Sequence, residues 1–270
     1  MAICIYCSQN KTLTREHIMP AFVYAYQDSI SNSKSIGWRE KAQKVLQGEA
    51  VIKDVCDHCN NVVLGTLDAH AKSALEKAGA FTPNFNKSTV DFEYDFNQYA
   101  RWLLKVAFNS SRASGKHLGV FDQYKDLILD KNKNYSSFII TGGLLKPYKL
   151  TKQQKIDHGQ SLFADSSGYV NPFFSRVSWA QNLPNDISVK QIVIGALVFH
   201  VVSFSPNMSR VRKRELQKEY LKMCKGMAIL NKGSSRTKLS QLPLTFVDSM
   251  GPHMLREEVK PHMDKLLTSC

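Results

Sequence analysis

The stretch that decides the fold lies within residues 1–80, where Cys4-Ile5-Tyr6-Cys7 and Cys56-Asp57-His58-Cys59 bracket the run Glu16-His17-Ile18-Met19-Pro20. Each cysteine pair has two residues between its sulfur atoms, and this spacing puts both thiols on the same side of a tight turn. Two such turns supply the four tetrahedral ligands of a structural zinc site. We therefore predict that Cys4, Cys7, Cys56 and Cys59 bind one Zn²⁺ that stabilises the fold, while other residues carry the chemistry.

Charge is unevenly distributed along the 270 residues, whose formal net charge is +13. Residues 1–80 contain nine basic and eight acidic residues, whereas residues 81–270 contain 27 basic and 15 acidic residues. A neutral module joined to a basic body indicates a polyanionic partner, most simply nucleic acid. The alternative is an ordinary protein surface with many solvated lysines.

No segment of the sequence is typical of secretion or of a membrane span. The N-terminus has no basic stretch followed by an apolar core, and the longest apolar run, residues 192–202, is too short for a bilayer and contains His200. In such a run His200 is expected to be a core residue rather than a ligand. We predict a cytoplasmic protein without a membrane partner. In that compartment paired cysteines are more often metal ligands than disulfides, and Cys224 and Cys270 are expected to be ordinary thiols.

The N-terminal pattern predicts a strand, a loop, a second strand and a helix. Residues 12–18 form the first strand, which delivers His17 near its end, and residues 50–55 form the second. The polar segment 28–48 between them is expected to be an exposed insertion. Apolar residues at helical spacing follow Cys59 and stop at Gly79.

Beyond this module, the pattern predicts a helix over residues 95–111 and a strand over 137–141 that Gly142 and Gly143 close. The apolar run 192–204 is expected to form one or two core strands hinged at Gly195. The tail beyond Gly226 is expected to be loosely ordered.

A basic helix is predicted from Arg210 to Lys225, with Ser209 as its cap. Its residues Arg210, Arg212, Lys213 and Arg214 are candidate phosphate contacts, which set affinity without reading a base sequence. The alternative is that these side chains are a solvated helix face.

The three N-terminal motifs together resemble the zinc-ribbon branch of the HNH endonucleases, which have the ββα-metal fold. Cys-Ile-Tyr-Cys, Thr-Arg-Glu-His-Ile-Met-Pro and Val-Cys-Asp-His-Cys-Asn-Asn occur in the order of that family. The resemblance covers residues 1–80 and implies α+β structure: an HNH module stapled by zinc, followed by a basic α/β body of unassigned fold in residues 81–270.

The resemblance implies a role for three residues of the module. His17 matches the general base, Glu16 matches a ligand of a catalytic divalent ion, and Asn60 matches a second ligand, with Asn61 as its substitute. Oxygen ligands suit Mg²⁺ or Mn²⁺, and histidine titrates near neutral pH, which suits a base. Adjacent residues of a regular strand point to opposite faces, so Glu16 and His17 share a site only if the strand bends or ends there.

One family position departs from the pattern. The asparagine that orients the base should precede the second cysteine pair by several residues, but residues 48–52 contain none. A backbone carbonyl is our expected partner for His17. The predicted function is a metal-dependent endonuclease, acting on DNA rather than RNA and belonging to a restriction, mobile-element or anti-phage defence system. Residues 81–270 would bind substrate, a regulatory partner or a second copy. The alternative is a zinc-ribbon binding module without catalysis.

Overall fold

The protein is described by a computed structural model over residues 1–31, 34–115, 118–131, 135–180, 183–184 and 186–261. Its strands are β1 (Ala2–Ile3), β2 (Asn10–Lys11), β3 (Leu13–His17), β4 (Ile36–Arg39), β5 (Lys44–Gln47), β6 (Val51–Cys56), β7 (Thr89–Glu93), β8 (Phe138–Leu144), β9 (Tyr148–Lys149), β10 (Tyr169–Val170), β11 (Ser175–Trp179), β12 (Ile187–Ile194), β13 (Leu197–Phe204), β14 (Ala228–Ile229) and β15 (Arg236–Ser240).

The α-helices of the described residues are α1 (Ala21–Ser31), α2 (Gly65–Lys77), α3 (Phe96–Ser114), α4 (Leu118–Asp122), α5 (Lys125–Ile128), α6 (Lys152–His158), α7 (Arg210–Met223) and α8 (Phe246–Met254). A 3₁₀ turn over Glu40–Ala42 and a π-helical segment over His58–Leu64 add to them. Separate antiparallel sheets combined with helices give the α+β class that the sequence predicts.

Strands β3 and β6 form the antiparallel pair at the centre of the N-terminal module. His17 pairs with Val51 at the end of β3, and a bulge lies between Thr14 and Arg15. The predicted strand and its return are therefore confirmed. The segment between them is also an exposed insertion as predicted, but it includes the hairpin β4–β5. Part of that predicted segment, residues 32–33, lies outside the described residues.

The second cysteine pair leads directly into helical structure. The π-helical turn begins at His58 and continues into α2, and Gly79 follows with a φ of +74°. A left-handed glycine is a common helix stop because it has no Cβ to strain. The predicted helix and its end at Gly79 are confirmed, although the π-helical start was not foreseen.

Helix α3 is the element around which the rest of the protein packs. Asp95 caps its first turn by accepting a hydrogen bond from the backbone of Gln98, and Gly115 ends it with a φ of +71°. Twelve of its side chains are buried, because α3 contacts α2 on one side and the five-stranded sheet on another. This confirms the predicted helix.

The five-stranded sheet has the strand order β11-β12-β13-β8-β14. Its strands β12 and β13 join at a tight turn where Gly195 has a φ of +56°, as the sequence predicts. The prediction that Gly142 and Gly143 close β8 is wrong, because the strand continues to Leu144. A Cβ on Gly143 would lie 2.8 Å from Leu242, so glycine here permits close packing and does not mark a turn.

The C-terminal region differs most from its prediction. Residues beyond Gly226 were expected to be loosely ordered, but β14 joins the five-stranded sheet and β15 pairs with β7 along Thr89–Glu93. These pairings join residues that are far apart in sequence, which local patterns do not reveal. Residues 262–270, including Cys270, lie outside the described part of the chain.

The main hydrophobic core runs across the predicted boundary at residue 80. It contains Val55 and Leu64 of the N-terminal module together with Trp102 of α3 and Phe199 of β13. The division into residues 1–80 and 81–270 therefore stays a prediction about function, since the packing between the two is continuous. Among the described helices, none has the length and apolar character needed to cross a bilayer.

Candidate metal centre and adjoining histidine site

The two cysteine pairs meet in space as the sequence predicts. The loop between β1 and β2 carries Cys4 and Cys7, while Cys56 ends β6 and Cys59 lies in the π-helical turn. The four sulfur atoms all lie within 4.8 Å of one another. Within the described ranges, this is the one group of three or more His, Cys, Asp or Glu side chains that can hold a metal ion.

The sulfur geometry fits a tetrahedral metal site better than a disulfide. The Sγ atoms of Cys7 and Cys56 are 3.8 Å apart, much longer than an S–S bond of about 2.05 Å. A tetrahedron with metal–sulfur distances of about 2.3 Å has edges of about 3.8 Å, which is the spacing expected around zinc. The backbone reinforces the site, because the amide of Cys56 donates to the Cys4 sulfur at 3.3 Å.

The thiols show what a bound cation would change at this position. Burial raises the pKa of Cys59, and its sulfur neighbours raise it further. At Cys4, burial also raises the pKa, but hydrogen bonds from the backbone of Cys7, Cys56 and Tyr6 outweigh it and lower the pKa to about 7. Four crowded thiols cannot all ionise alone, whereas a bound metal ion deprotonates its thiol ligands.

His17 lies at the end of β3 with its side chain 26 % exposed. Its Nε2 atom is 2.7 Å from Oε2 of Glu49, a residue that directly precedes β6 and is 44 % exposed. The pairing of His17 with Val51 brings the two segments together. The partner of His17 at Nε2 is therefore a carboxylate and not the backbone carbonyl that we expected.

Glu16 lies on the opposite side of β3 from His17. Its side chain is 4 % exposed, and Oε1 is 2.8 Å from Nζ of Lys105 on α3. Asn109, one turn further along α3, donates to the same oxygen at 3.0 Å. From Arg15 to His17 the strand pairs regularly with β6, so side chains alternate and the carboxylate of Glu16 faces away from the imidazole of His17. A metal-ligand role for Glu16 stays a prediction.

A buried polar network surrounds Glu16. Lys105 is fully buried and is also 2.7 Å from the carboxylate of Asp68 on α2, which accepts a further hydrogen bond from the Trp102 indole at 3.0 Å. Asn109 donates to the backbone carbonyl of His17 at 2.9 Å as well. Helix α3 thus fixes the inner face of β3 through charged contacts, and it holds the backbone of His17 in place.

Asn60 lies against β3, as expected for a residue in the first helical turn after the cysteines. Its amide nitrogen donates to Oγ1 of Thr14 and to the carbonyl of Arg15, both at 2.9 Å. Asn61 instead donates to the carboxylate of Asp57. The role of Asn60 or Asn61 as a metal ligand stays a prediction, since these contacts describe their amide nitrogens.

Two cations share the outer face with His17. Arg15 precedes His17 by two residues and pairs directly with Lys53 of β6. Both side chains are exposed, and over the described residues neither forms an ion pair with a carboxylate. Like charges placed opposite each other destabilise a strand pair, so this face is suited to an anion.

The basic helix α7 has the predicted cap at Ser209, whose side chain accepts from the backbone of Arg212. Arg210 and Arg214 are exposed, whereas Arg212 forms ion pairs with Asp186, Glu215 and Glu219. Lys213 donates to the carbonyl of Ser136 at 3.4 Å. Contact of these four residues with nucleic acid stays a prediction, and Arg212 has its charge partly neutralised within the protein.

Two further sequence predictions concern single residues. His200 is a core histidine as expected: its Nδ1 is 2.6 Å from the Tyr220 hydroxyl, and burial lowers its pKa to about 4. Cys224 is a free thiol at the end of α7, and burial raises its pKa.

Three residues of this face were not predicted from the sequence: Glu49, Arg15 and Lys53. Glu49 lies in the segment where the expected asparagine was absent, so its carboxylate was the available side-chain partner for His17. Arg15 could have been found from the strand alternation, because residues two apart share a face. The position of Lys53 opposite Arg15 could not be predicted without the register between β3 and β6, which shifts by one residue at the bulge after Thr14.

Comparison with known proteins adds no relative to this description. No family model matches the chain, and neither a curated protein nor a solved structure matches it. The assignment of a function therefore rests on the residues and on their geometry.

Proposed function

We propose that this chain is an HNH-type endonuclease that hydrolyses phosphodiester bonds of nucleic acid, with His17 as the general base. The observation that carries the proposal is the 2.7 Å contact between His17 and Glu49, at the end of the β3–β6 pair opposite to Cys56 of the four-cysteine centre. A partly exposed imidazole held by a carboxylate is the arrangement that orients a catalytic base. The order of the three motifs supports the HNH class.

The proposed chemistry begins with a water molecule on the exposed side of the imidazole. Because Nε2 of His17 is held by Glu49, Nδ1 is the atom that accepts the water proton as the oxygen attacks phosphorus. Glu49 then stabilises the imidazolium that forms, as the carboxylate does in other base–carboxylate pairs. As the water oxygen bonds to phosphorus, the bond from phosphorus to the leaving sugar oxygen breaks, and that oxygen takes up a proton from solvent.

The cations beside His17 neutralise the negative charge of the substrate phosphate. Arg15 and Lys53 lie on the same face of the β3–β6 pair, so a phosphate over His17 is placed between two positive side chains. Positive groups that face the developing negative charge lower the barrier to phosphoryl transfer. The bound phosphate in turn offsets the repulsion between the side chains of Arg15 and Lys53.

Two metal roles are separated in this proposal. The Cys4, Cys7, Cys56 and Cys59 centre holds zinc for stability, because four thiolates leave no open coordination position. The resemblance also implies Mg²⁺ or Mn²⁺, but Glu16 does not fit an ion shared with substrate, since its carboxylate is buried against Lys105. The proposed steps therefore use the chain's own groups, and dependence on added cation is measured.

The test is cleavage of plasmid DNA by the purified protein, with and without added Mg²⁺ or Mn²⁺, beside His17→Ala. We expect cleavage by the wild type and a loss of about 10²- to 10⁴-fold in the variant, the range that general-base catalysis contributes. Equal cutting by both proteins would contradict the proposal. A single-stranded RNA substrate in parallel separates DNA from RNA as the target, and the DNA preference and a role in anti-phage defence or restriction follow from the resemblance alone.

The zinc assignment has its own measurement. Elemental analysis of the purified protein is expected to find close to one zinc per chain, which is lost together with folded structure in Cys56→Ser. A folded, metal-free wild type would remove zinc from the proposal. The Cys224→Ser variant is the matched control, because Cys224 is outside the cluster.

A second candidate function is a non-catalytic zinc-ribbon module that binds nucleic acid or a protein partner. It is favoured by one observation, the use of Glu16 in a buried ion pair with Lys105. Retention of nucleic-acid binding without any cleavage, in the wild type and in His17→Ala alike, would select this candidate over the nuclease.

A further inference from the structure

A large cleft lies between the N-terminal insertion and the C-terminal body. The hairpin β4–β5 borders it on one side, strands β11 and β12 on another, and helix α8 on a third. Its volume is about 1760 Å³, larger than the roughly 300–1,000 Å³ of ordinary small-molecule sites. Elements far apart in sequence therefore meet around one space.

The acidic groups that line the cleft are already used by the protein. Glu40 forms an ion pair with Arg256 at 3.1 Å and accepts from the indole of Trp38. Asp248 accepts hydrogen bonds from Thr245 at the start of α8, and these bonds lower its pKa. Neither carboxylate is left to neutralise the remaining cations of the cleft.

Three of the lining cations have only neutral partners among the described residues. Arg39 donates to the carbonyl of Gly48 at 2.5 Å, and Arg176 donates to the carbonyl of Ser249. Lys190 is 3.4 Å from the hydroxyl of Ser111. The lining therefore has an excess of positive charge that the fold does not neutralise.

Lys190 is the most informative of the three cations. Only 1 % of it is exposed, and its Nζ lies 4.0 Å from the centre of the Trp179 ring. Burial lowers its pKa to about 7, because the charged amine loses its water without gaining a carboxylate. A buried cation without an anion is costly, and an anion in the cleft would offset that cost.

The aromatic groups of the cleft indicate which kind of anion fits. Tyr24, Trp38, Phe174 and Trp179 all belong to its lining. Aromatic side chains bind planar bases by stacking, and arginine and lysine side chains bind phosphates. Both kinds of surface in one cleft match a ligand that combines a phosphate with a base.

We propose that this cleft binds a phosphate-bearing nucleotide ligand, with Arg39, Arg176 and Lys190 holding the phosphates and the lining aromatics contacting the base. His17 is not among the lining residues, although Tyr24, whose ring centre lies 6.3 Å from that of His17, is one of them. Free nucleotides and single-stranded nucleic acid share this chemistry. The large volume favours a strand of more than one nucleotide.

The test measures binding to full-length protein carrying His17→Ala, so that no probe is cut, and without added divalent cation. The probes are ATP, a fluorescent single-stranded oligothymidine and inorganic phosphate as competitor. Lys190→Met and Arg176→Gln are the site variants, and Lys152→Gln, at an exposed position of α6 outside the cleft, is the control. Each lost charge-assisted contact is expected to weaken binding by about tenfold or more, while the control is unchanged.

Thermal unfolding of each variant shows that it is folded. Lys190→Met keeps the length of the side chain and removes a buried charge, so it is expected to be at least as stable as the parent. Binding of ATP that both site variants weaken identifies a free nucleotide, whereas binding of the oligothymidine alone identifies a strand. No binding of any probe, or binding that both site variants leave unchanged, overturns the proposal. Cleavage by the wild type is measured separately, so failure of this site and failure of the nuclease are distinguishable.

Discussion

The two faces of strand β3 show how adjacent residues of one strand acquire opposite roles. On the inner face, Glu16 is buried between Lys105 and Asn109 of α3. On the outer face, His17 is partly exposed and holds Glu49, with Arg15 beside it. The inner carboxylate is fully engaged by the fold, whereas the outer imidazole can be reached from solvent.

This contrast means that a motif does not fix the role of each of its residues. The Glu-His pair predicted one shared catalytic site, but strand alternation sends the two side chains apart. The carboxylate that meets His17 comes instead from Glu49, before the returning strand. An imidazole–carboxylate pair is thus formed between the end of β3 and the residue that precedes Ala50 and β6, and Glu16 becomes a contact that holds β3 against α3.

The largest effect is expected from Lys105→Met on the inner face. This change leaves the carboxylates of Glu16 and Asp68 buried or half-buried without their shared cation. Removing one partner of a buried ion pair costs roughly 3–5 kcal/mol, and we expect a loss of that size in the free energy of unfolding, measured by urea denaturation. Lys72→Met is the control, because the Lys72–Glu76 pair on α2 is half-exposed and such pairs contribute under about 1 kcal/mol. A similar, small loss in both variants would show that the inner network is not structural.

The next effect is expected from Glu49→Gln on the outer face. Glutamine keeps the size of the side chain but cannot stabilise an imidazolium by charge, so we expect about a 10- to 100-fold loss in the rate of DNA cleavage. The free energy of unfolding should change by less than about 1 kcal/mol, because the pair is exposed. Glu76→Gln, at a half-exposed position of α2, is the matched control. Full activity in Glu49→Gln would leave the base without its proposed partner.

The elements that form the two faces could be predicted from the sequence, whereas the contacts between distant residues could not. The cysteine spacing predicts the metal centre, and the hydrophobic periodicity predicts β3, β6 and α3, because these signals are local. The partner of Glu16 is different: Lys105 lies 89 positions further along the chain, and only tertiary packing brings it close.

The C-terminal region illustrates the same limit. Strand β15 pairs with β7, and the sequence of neither short segment predicts which strand it pairs with. Gly142 and Gly143 were misread for a related reason. A glycine pair suggests a turn locally, but here it makes room for Leu239 and Leu242, which approach from distant segments.

A smaller effect is expected from Arg15→Gln, which removes a cation from the outer face. The variant should cleave DNA about tenfold more slowly at subsaturating substrate, because an exposed phosphate contact is lost. Its unfolding free energy should stay unchanged or rise slightly, since Arg15 faces the like charge of Lys53. Lys53→Gln should behave in the same way. Slower cleavage that is accompanied by an equal loss of stability would point to a structural role for the pair.

The smallest effect at neutral pH is expected from His200→Gln, which compares a buried imidazole with the exposed His17. Burial lowers the pKa of His200 to about 4 in the folded protein, while an unfolded chain binds a proton near pH 6.5. Between these values the unfolded state holds more protons, so wild-type stability falls as the pH falls from about 6.5 to about 4.

The variant lacks this group, so its unfolding free energy should decline less steeply over that range. The difference in slope corresponds to at most one proton taken up on unfolding. Urea midpoints measured at a series of pH values test this, with His70→Gln, at an exposed position of α2, as the control that keeps the wild-type slope. DNA cleavage at neutral pH should be unchanged in His200→Gln, because the residue contacts Tyr220 in the core and no outer-face group. Identical slopes in all three proteins would mean that His200 takes up its proton in the folded state as it does in the unfolded chain. Burial would then not distinguish the imidazole of His200 from that of His17.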